Sequence, residues 1–532
     1  MIIGGLYNSH DTSFAILENG IPVLHVELER YIRQKQPKGD AFQLLMNDYP
    51  EFRKIKHFVE INDRVYTTEK KYPYANKMIQ NIVSSNGGSC YECGHHQAHA
   101  ANAFYSSNFR DSLIITIDGG GLDIIKDQDK ILTFTSWVGK DNKIKLLSHA
   151  SEDIFNIGVT WNVFTTDVFG LSGGWPKGDQ AGSVMAMACM GDADKYYSEV
   201  KSLKFKHHNH WNNQQRKTFS RLIDIASSDE KQRFHIAAAL QKNTEDFFFD
   251  ILSKLLKKTK QRNICLSGGV ALNSVMVGKI YSRFKDQVEE VYVCPVPYDA
   301  GLCIGAGQYV WHQVLDNERV VWDDNASPYL GVSYTEKDVA NSLENYKEII
   351  SYNNCSQTEV LKSLTESKIV SLFCGKSESG RRALGNRSII ADPRNPEMKS
   401  IINDKVKHRQ WFRPFAPSIL REEVGNWFTK DKNSPYMSFV LDFKDEVKER
   451  VPAVDHFDGT ARLQTVTEKD NKPYYDLIKE WNEISGVPVL LNTSFNDREP
   501  IVETPNDAIK CFLNTNIDHL YFLEYGILVS KK

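Results

Sequence analysis

The sequence has no run of about 18 apolar residues, the length a helix needs to cross a bilayer. Its opening, MIIGGLYNSHDTSF, has neither the basic stretch nor the apolar core of a secretory signal, so the expected location is the cytoplasm. Charge of one sign is also lacking. Lys plus Arg number 65 against 68 Asp plus Glu, a formal net charge of −3, and that balance removes the bulk attraction a nucleic-acid binder relies on. Cysteine is sparse as well: nine residues, an odd number, do not form a disulfide framework. The single CxxC, Cys90 and Cys93, would suit a zinc half-site or a redox pair, but no second CxxC follows and no βαβ redox context surrounds it. Small core residues are the expectation for most of the nine. No fixed-period repeat and no low-complexity tract occurs.

What is present is an ordinary globular balance, 41% hydrophobic and 25% charged residues, in a chain of 532 residues. That length exceeds what one core supports, so two or three folded units are expected. The chain opens as a β-meander with a polar turn at Asn8 to Asp11, and Glu18-Asn19-Gly20 turns between SFAIL and IPVLHVEL. Further strand patterns lie at SLIITID (112–118), NICLS (263–267) and VYVCPV (291–296), separated by helical stretches, which predicts a mixed α/β fold. Around 320–345 the sequence turns to turn formers without an apolar period. The expected organisation is therefore a first domain over 1–325, a linker over 326–345 and a second domain over 346–532. The second contains strand patterns at IVSLFCG (369–375), VPVLLN (487–492) and GILVS (526–530).

The string CGHHQAHAANAF places His95 and His99 four apart in an Ala-rich, helix-favouring segment, so both imidazoles project from one face. That is metal-ligand spacing; a helix start with satisfied surface histidines is the alternative. His96 points elsewhere on the helix, as a supporting or core group. Two carboxylates strengthen the metal hypothesis: Asp118, expected to end the strand IITID before Gly119-Gly120-Gly121, and Asp299, after the strand VYVCPV. Strand C-termini are where ligands bind in open α/β sheets. Three polar or Gly-rich turns, Asn8 to Ser13, Asp118 to Gly121 and Ser267 to Gly269, predict one nucleotide bound near Gly119, Gly120, Gly268, Gly269 and Asn273.

Between 376 and 413 the chain gathers Lys376, Arg381, Arg382, Arg387, Arg394, Lys405, Lys407, Arg409 and Arg413. A solvated basic face is one explanation. Interleaving with ALG, SIIAD and WFRPFAP argues for partial burial, and a buried guanidinium needs an anion. Phosphate or a carboxylate meets that need through paired N–H contacts. LLNTSFN adds Asn492, Thr493 and Ser494 at a strand end, groups able to hold an amide or phosphate.

The strings HDTS, ELERYIRQK, HHQAHAANAF, TIDGGG, LSGGVALNS, ESGRRALGNRSIIADPR, KVKHRQWFRPFAPSIL, ARLQTV and GVPVLLNTSFNDREPIVETPNDAI occur in order along nearly the whole chain. Together they resemble the O-carbamoyltransferase family of nodulation-factor and antibiotic biosynthesis, the NodU/CmcH type that includes tobramycin carbamoyltransferases. The resemblance implies an N-terminal domain of the actin-like ATPase fold, similar to threonylcarbamoyl-transfer proteins, and a C-terminal YrdC-like α/β domain. It also implies two reactions. The second domain would form carbamoyl adenylate from ATP, with its Mg, and carbamoyl phosphate, using Lys376, Arg382, Arg387, Lys405, Arg413, Asn492 and Ser494. The first would pass the carbamoyl group to a hydroxyl at a divalent metal (iron, zinc or manganese) held by His95, His99, Asp118 and Asp299. His10 and Asp11 match the family's HD pair beside the reacting carbon, which makes one of them the expected general base, and Lys35 a weaker candidate for a substrate contact.

The acceptor would be a sugar, a natural product or a modified nucleotide, and a homodimer is compatible with the family. One string departs from the pattern: Ala181 to Ala188, AGSVMAMA, stands where members carry EGKVMGLA, which puts acceptor or nucleotide contacts there in doubt. The alternatives are a tRNA threonylcarbamoyl transferase, disfavoured by the near-neutral charge, and a non-enzymatic actin-like nucleotide sensor. His207 to Trp211 is expected to be a mobile surface loop, with a place in the acceptor cleft as the alternative.

Overall fold

The computed structural model describes residues 1–37, 49–61, 77–125, 128–171, 180–321 and 327–532. Residues 322–326, in the stretch expected to mark the domain boundary, lie outside the described residues. The described chain divides into two units, Met1–Glu29 with Lys35–Ala326, and Arg30–Gln34 with Ser327–Lys532.

In the first unit, β1 (Ile2–Tyr7), β2 (Ser13–Glu18) and β3 (Ile21–Glu27) form the expected antiparallel meander. Asn19 and Gly20 turn β2 into β3 with φ of 49° and 85°, the left-handed pair that matches the twist of a two-residue hairpin. Strand β4 (His57–Ile61) then joins β1 in parallel and β5 (Ser89–Cys93) joins β4, giving the order β3-β2-β1-β4-β5. The same plan recurs. Strands β6 (Asp111–Ile125), β7 (Gln128–Lys140) and β8 (Lys143–Ser151) make a second meander, to which β9 (Asn263–Ser267) and β10 (Glu290–Val293) add in parallel. Its order is β10-β9-β6-β7-β8. Two copies of one five-stranded topology thus make up the unit, a duplication that accords with the expected actin-like fold.

Two helices position the site. The helix His95–Ser106 buries Ala100, Ala101, Phe104 and Tyr105 against Ile114, Trp137 and Cys265. The helix Leu302–Tyr309 crosses it so closely that a methyl group on Gly305 would stand 2.0 Å from the Ala98 carbonyl oxygen, a distance only glycine permits.

The second unit carries one nine-stranded sheet in the order β11-β19-β18-β12-β13-β17-β14-β16-β15. Its strands are β11 (Ile350–Asn354), β12 (Val370–Phe373), β13 (Arg387–Ala391), β14 (Ala416–Leu420), β15 (Phe439–Asp442), β16 (Thr460–Val466), β17 (Val489–Ser494), β18 (His519–Phe522) and β19 (Ile527–Lys531). Arg30–Gln34 belongs to this unit by its contacts: Arg30 donates to the Gly380 carbonyl at 2.7 Å, and Arg33 to those of Pro500 (2.6 Å) and Ile501 (2.7 Å). Among the described residues no helix is long and apolar enough to cross a membrane.

Two expectations need amending, and the one for cysteine holds. Asp118 does not end a strand: β6 continues to Ile125, and the register jumps from Ile117 opposite Phe134 to Gly121 opposite Leu132, so Asp118 sits in a bulge. As expected, all nine cysteines are free and most are buried; Cys90 and Cys93 lie on one strand, where the two-residue period sends positions three apart to opposite faces, Cys90 exposed and Cys93 buried. Within 326–345 there is a helix, Glu336–Glu344, started by Thr335 and Asp338, each side chain bonded to the other's backbone N–H.

Candidate functional site

The site begins where β5 hands the chain to the helix His95–Ser106. Asp123, buried on β6, accepts hydrogen bonds from the N–H groups of His96 (3.0 Å) and Gln97 (3.1 Å), satisfying donors that a helix N-terminus leaves open. It also bonds His96 Nδ1 at 3.0 Å, which accounts for the middle histidine as a supporting group. One turn apart, His95 and His99 bring their ring centroids to 4.8 Å. Gly121 leaves room for them: a methyl there would stand 2.0 Å from His95 Cγ.

The two carboxylates arrive from elsewhere in the chain. His99 Nε2 stands 3.4 Å from Asp118 Oδ2 and 3.5 Å from Asp299 Oδ1, and His95 Nε2 stands 3.7 Å from Asp299 Oδ1. One donor atom from each of the four lies within 4.8 Å of the others. Four ligands at about 2.1 Å from a tetrahedral ion are spaced about 3.4 Å apart, so the observed separations suit such an ion. His95 Nε2 and His99 Nε2 are buried without a hydrogen-bond partner, an arrangement that a metal would satisfy. His99 Nδ1 meets Ser267 Oγ at 3.2 Å, which fixes the ring.

The charges agree with this. Burial alone would raise both carboxyls, yet His95, His10 and His99 hold Asp299 well below the usual carboxylate range, and His99 lowers Asp118. Burial pushes His95 down to about 4. For His99 burial also acts downward, but the neighbouring Asp118 and Asp299 carboxylates overcome it and carry the ring up to about 9.

Asp299 starts a short turn held by His25, 2.7 Å from the Ala300 carbonyl, and by Tyr298, whose hydroxyl donates to Glu27 at 2.6 Å. Its Oδ2 accepts from the Tyr7 hydroxyl at 3.0 Å and lies 3.0 Å from His10 Nε2. That leaves Oδ1 as the oxygen facing His95 and His99. Of the HD pair, then, the structure brings His10 to the four-residue cluster, whereas Asp11 (φ 60°) accepts from Gln36 at 3.1 Å.

The glycine turns serve Asp118. Gly119 and Gly269 donate their N–H groups to its carboxylate, Gly120 lies in the same bulge, and Gly268 donates to the Pro297 carbonyl. Asn273 caps the helix Ser274–Arg283 and exchanges amide hydrogen bonds with Gln241. Lys35 is exposed, and the AGSVMAMA string forms the helix Ala181–Ala188 with Ser183 and Val184 buried. Trp211 is buried against Phe219, which ties the expected loop 207–211 down.

In the second unit the cations separate into two groups. Arg387 is fully buried; it donates to the carbonyls of Cys374 (2.8 Å), Asn386 (2.9 Å) and Glu503 (3.3 Å), and lies 3.5 Å over the Phe373 ring. The expected anion ligand is instead a brace for the sheet. Arg394 pairs with Asp392, and Asn492 donates to Gln464, Ser418 and Ala383. Ser494 and Lys407 share a network with Asn496. Lys376 and Lys405 are exposed.

The other group is a cluster of like charges. Burial and the charges of Arg382, Arg413 and Arg409 hold Arg462 well below the usual arginine range, and burial and Arg413 do the same to Arg409. Arg462 Nε is buried without a hydrogen-bond partner. Crowded guanidinium groups in a partly buried setting suit a multivalent anion.

Sequence reasoning overlooked Tyr7, Asp123 and Arg462 as site residues. Tyr7 has the strand phase as its signal, since it is the last residue of β1 before the HD turn. Arg462 lies within the ARLQTV string that supported the resemblance.

Residues 58–308 match the family model described as Carbamoyltransferase N-terminus, and residues 361–529 that described as Carbamoyltransferase C-terminus. Nodulation protein NolO of Bradyrhizobium diazoefficiens is 33% identical, over 80% of this chain and 77% of that protein. An uncharacterized protein of Synechocystis sp. is 30% identical, over 96% of this chain and 94% of its own length. Among solved structures, full-length HypF in its phosphate- and nucleotide-bound form is similar at a TM-score of 0.34 and 14% identity, over 59% of this chain and 55% of that one.

Proposed function

Since the chain belongs to the carbamoyltransferase family, we propose that it is an ATP-dependent O-carbamoyltransferase whose two units carry out successive half-reactions. The observation that carries the first-unit assignment is the convergence of His95, His99, Asp118 and Asp299 with buried, unpartnered imidazole nitrogens.

In the second unit the Arg382, Arg409, Arg413 and Arg462 cluster takes the anionic groups of ATP and carbamoyl phosphate. Water cleaves carbamoyl phosphate to carbamate and phosphate. The carbamate oxygen then attacks the α-phosphorus of ATP, forming carbamoyl adenylate and expelling pyrophosphate. Arginine N–H groups already in place offset the charge that grows on the phosphoryl oxygens.

In the first unit a divalent ion, when bound by the four residues, supplies a positive template for the adenylate. His10, held 3.0 Å from Asp299, removes the proton of the acceptor hydroxyl as its oxygen attacks the carbamoyl carbon. The carbon–oxygen bond to AMP breaks, AMP leaves, and the acceptor carries an O-carbamoyl group. Asp11, already bonded to Gln36, is the weaker candidate for this base. The acceptor class is a hydroxylated small molecule, the location cytoplasmic, and the unit boundary falls near 326–345.

The test is pyrophosphate release from ATP with and without carbamoyl phosphate, first without acceptor and then with a panel of hydroxylated acceptors. Release that depends on carbamoyl phosphate supports the reading. Its absence in metal-replete protein, with every acceptor, overturns the adenylating step.

A further inference from the structure

We propose that Trp411 and Phe457 form a base-binding corner in the second unit, one that stacks the adenine of ATP while the adjacent arginines take its phosphates. This rests on the adenylating role given above to that unit.

Both rings are exposed, at 51% and 53%, although the residues around Trp411 are not: Phe412 and Phe415 are buried. The rings meet at 86° with centroids 5.8 Å apart, so they form two walls of a corner rather than a closed stack. A flat ligand finds a face on one wall and an edge contact on the other. Lys399 Nζ lies 4.1 Å over the Phe457 ring, adding positive charge to the corner.

Each wall is held in place. The carbonyls at Trp411 and Arg413 accept from Asn403 at 3.4 and 3.1 Å. Beside Phe457, His456 Nδ1 meets Thr460 Oγ at 3.1 Å, and that hydroxyl donates to Asp458 at 2.7 Å. His456 Nε2 is buried with no partner, a polar atom one residue from the corner. A braced backbone beneath each ring limits the freedom lost on stacking, which favours binding.

The identity of the occupant follows from the neighbours. Arg409 and Arg413 flank Trp411 in the chain, and Arg462 lies five residues beyond Phe457 within the same arginine cluster. A flat ring joined to a multivalent anion satisfies both halves of this surface, and a nucleoside triphosphate has that composition. A neutral sugar acceptor brings no anion for the arginines, and carbamoyl phosphate brings no ring for the aromatics.

Stacking of a base on an aromatic side chain contributes about 1–3 kcal/mol, so losing one wall should raise the KM for ATP about tenfold. The experiment is carbamoyl-phosphate-dependent pyrophosphate release by the full chain, comparing wild type with Trp411→Leu and Phe457→Leu, which keep apolar bulk. Trp411→Phe serves as the conservative control. The expected result is a KM for ATP raised about tenfold in both Leu variants, an unchanged KM for carbamoyl phosphate, kcat within about twofold, and recovery in Trp411→Phe. An unchanged KM for ATP, or a rise shared equally with carbamoyl phosphate, overturns the corner. No pyrophosphate release by the wild type overturns the adenylating reading itself, and the corner with it.

Discussion

Tyr7→Phe removes one hydroxyl at the proposed metal site, a group that also lies 3.4 Å from His10 Nδ1. The Tyr7 hydroxyl donates to Asp299 Oδ2 at 3.0 Å, with both groups buried, while Oδ1 faces His95 and His99. Deleting the hydroxyl leaves Oδ2 held, among the described residues, by His10 alone and removes a donor from a buried charge. A hydrogen bond to a charged group contributes about 1.5–3 kcal/mol. Loss of such a supporting contact behind a metal ligand lowers affinity about 10- to 100-fold, or about 1.4–2.7 kcal/mol, which agrees with that range. Phenylalanine keeps the ring that packs edge-on against His95 at 6.3 Å, so the fold should hold. The assay is competition for Zn(II) and for Mn(II) between the protein and a fluorescent chelator, with the apo melting temperature as the folding control. A variant that binds both ions within about twofold of wild type would refute the division of labour between the two Asp299 oxygens.

Asp118→Ala should abolish carbamoyl transfer and leave pyrophosphate release intact, because Asp118 and the arginine cluster belong to different units; loss of both activities in a folded variant would contradict this. Arg413→Ala should abolish pyrophosphate release, and undiminished release would remove Arg413 from the anion site. His312 is pushed down to about 3, mainly by burial and then by Arg319, whereas in the unfolded chain it takes up a proton near 6.5. Its contribution to stability is therefore complete above about pH 6.5 and is lost as the pH falls toward about 3. Between pH 6.5 and 5 this amounts to about 2 kcal/mol. In His312→Phe the melting temperature should drop less between pH 7 and pH 5 than in wild type, and an equal drop would show that another group is responsible.

The parts of the molecule legible in the sequence are those set by local geometry. His95 and His99 were readable because four residues make about one helical turn, and Asn19-Gly20 because a two-residue hairpin demands left-handed backbone. The helix at Glu336–Glu344 was equally local, announced by Thr335 and Asp338, but the turn formers before it obscured it. Asp118 joins the expected cluster but on a different backbone, since the bulge exists only because β7 pairs on both sides of it. Arg387 and Arg462 look alike as text. Partners distant in sequence separate them: the carbonyls of Cys374 and Glu503 surround the first, other guanidinium groups the second. The doubled strand order escaped notice because topology repeats without any repeat of residues.

The five residues Arg30–Gln34 bear on how genes for such proteins can be recombined. The C-terminal family match begins at residue 361, yet the unit it falls in is completed by guanidinium groups encoded more than 300 residues upstream. A swap made at a single junction would import a C-terminal half whose Gly380, Pro500 and Ile501 carbonyls expect arginines from a foreign N-terminal half. Viable chimaeras would need to exchange two segments at once, so this family's halves should travel together through evolution more often than a simple two-part layout suggests.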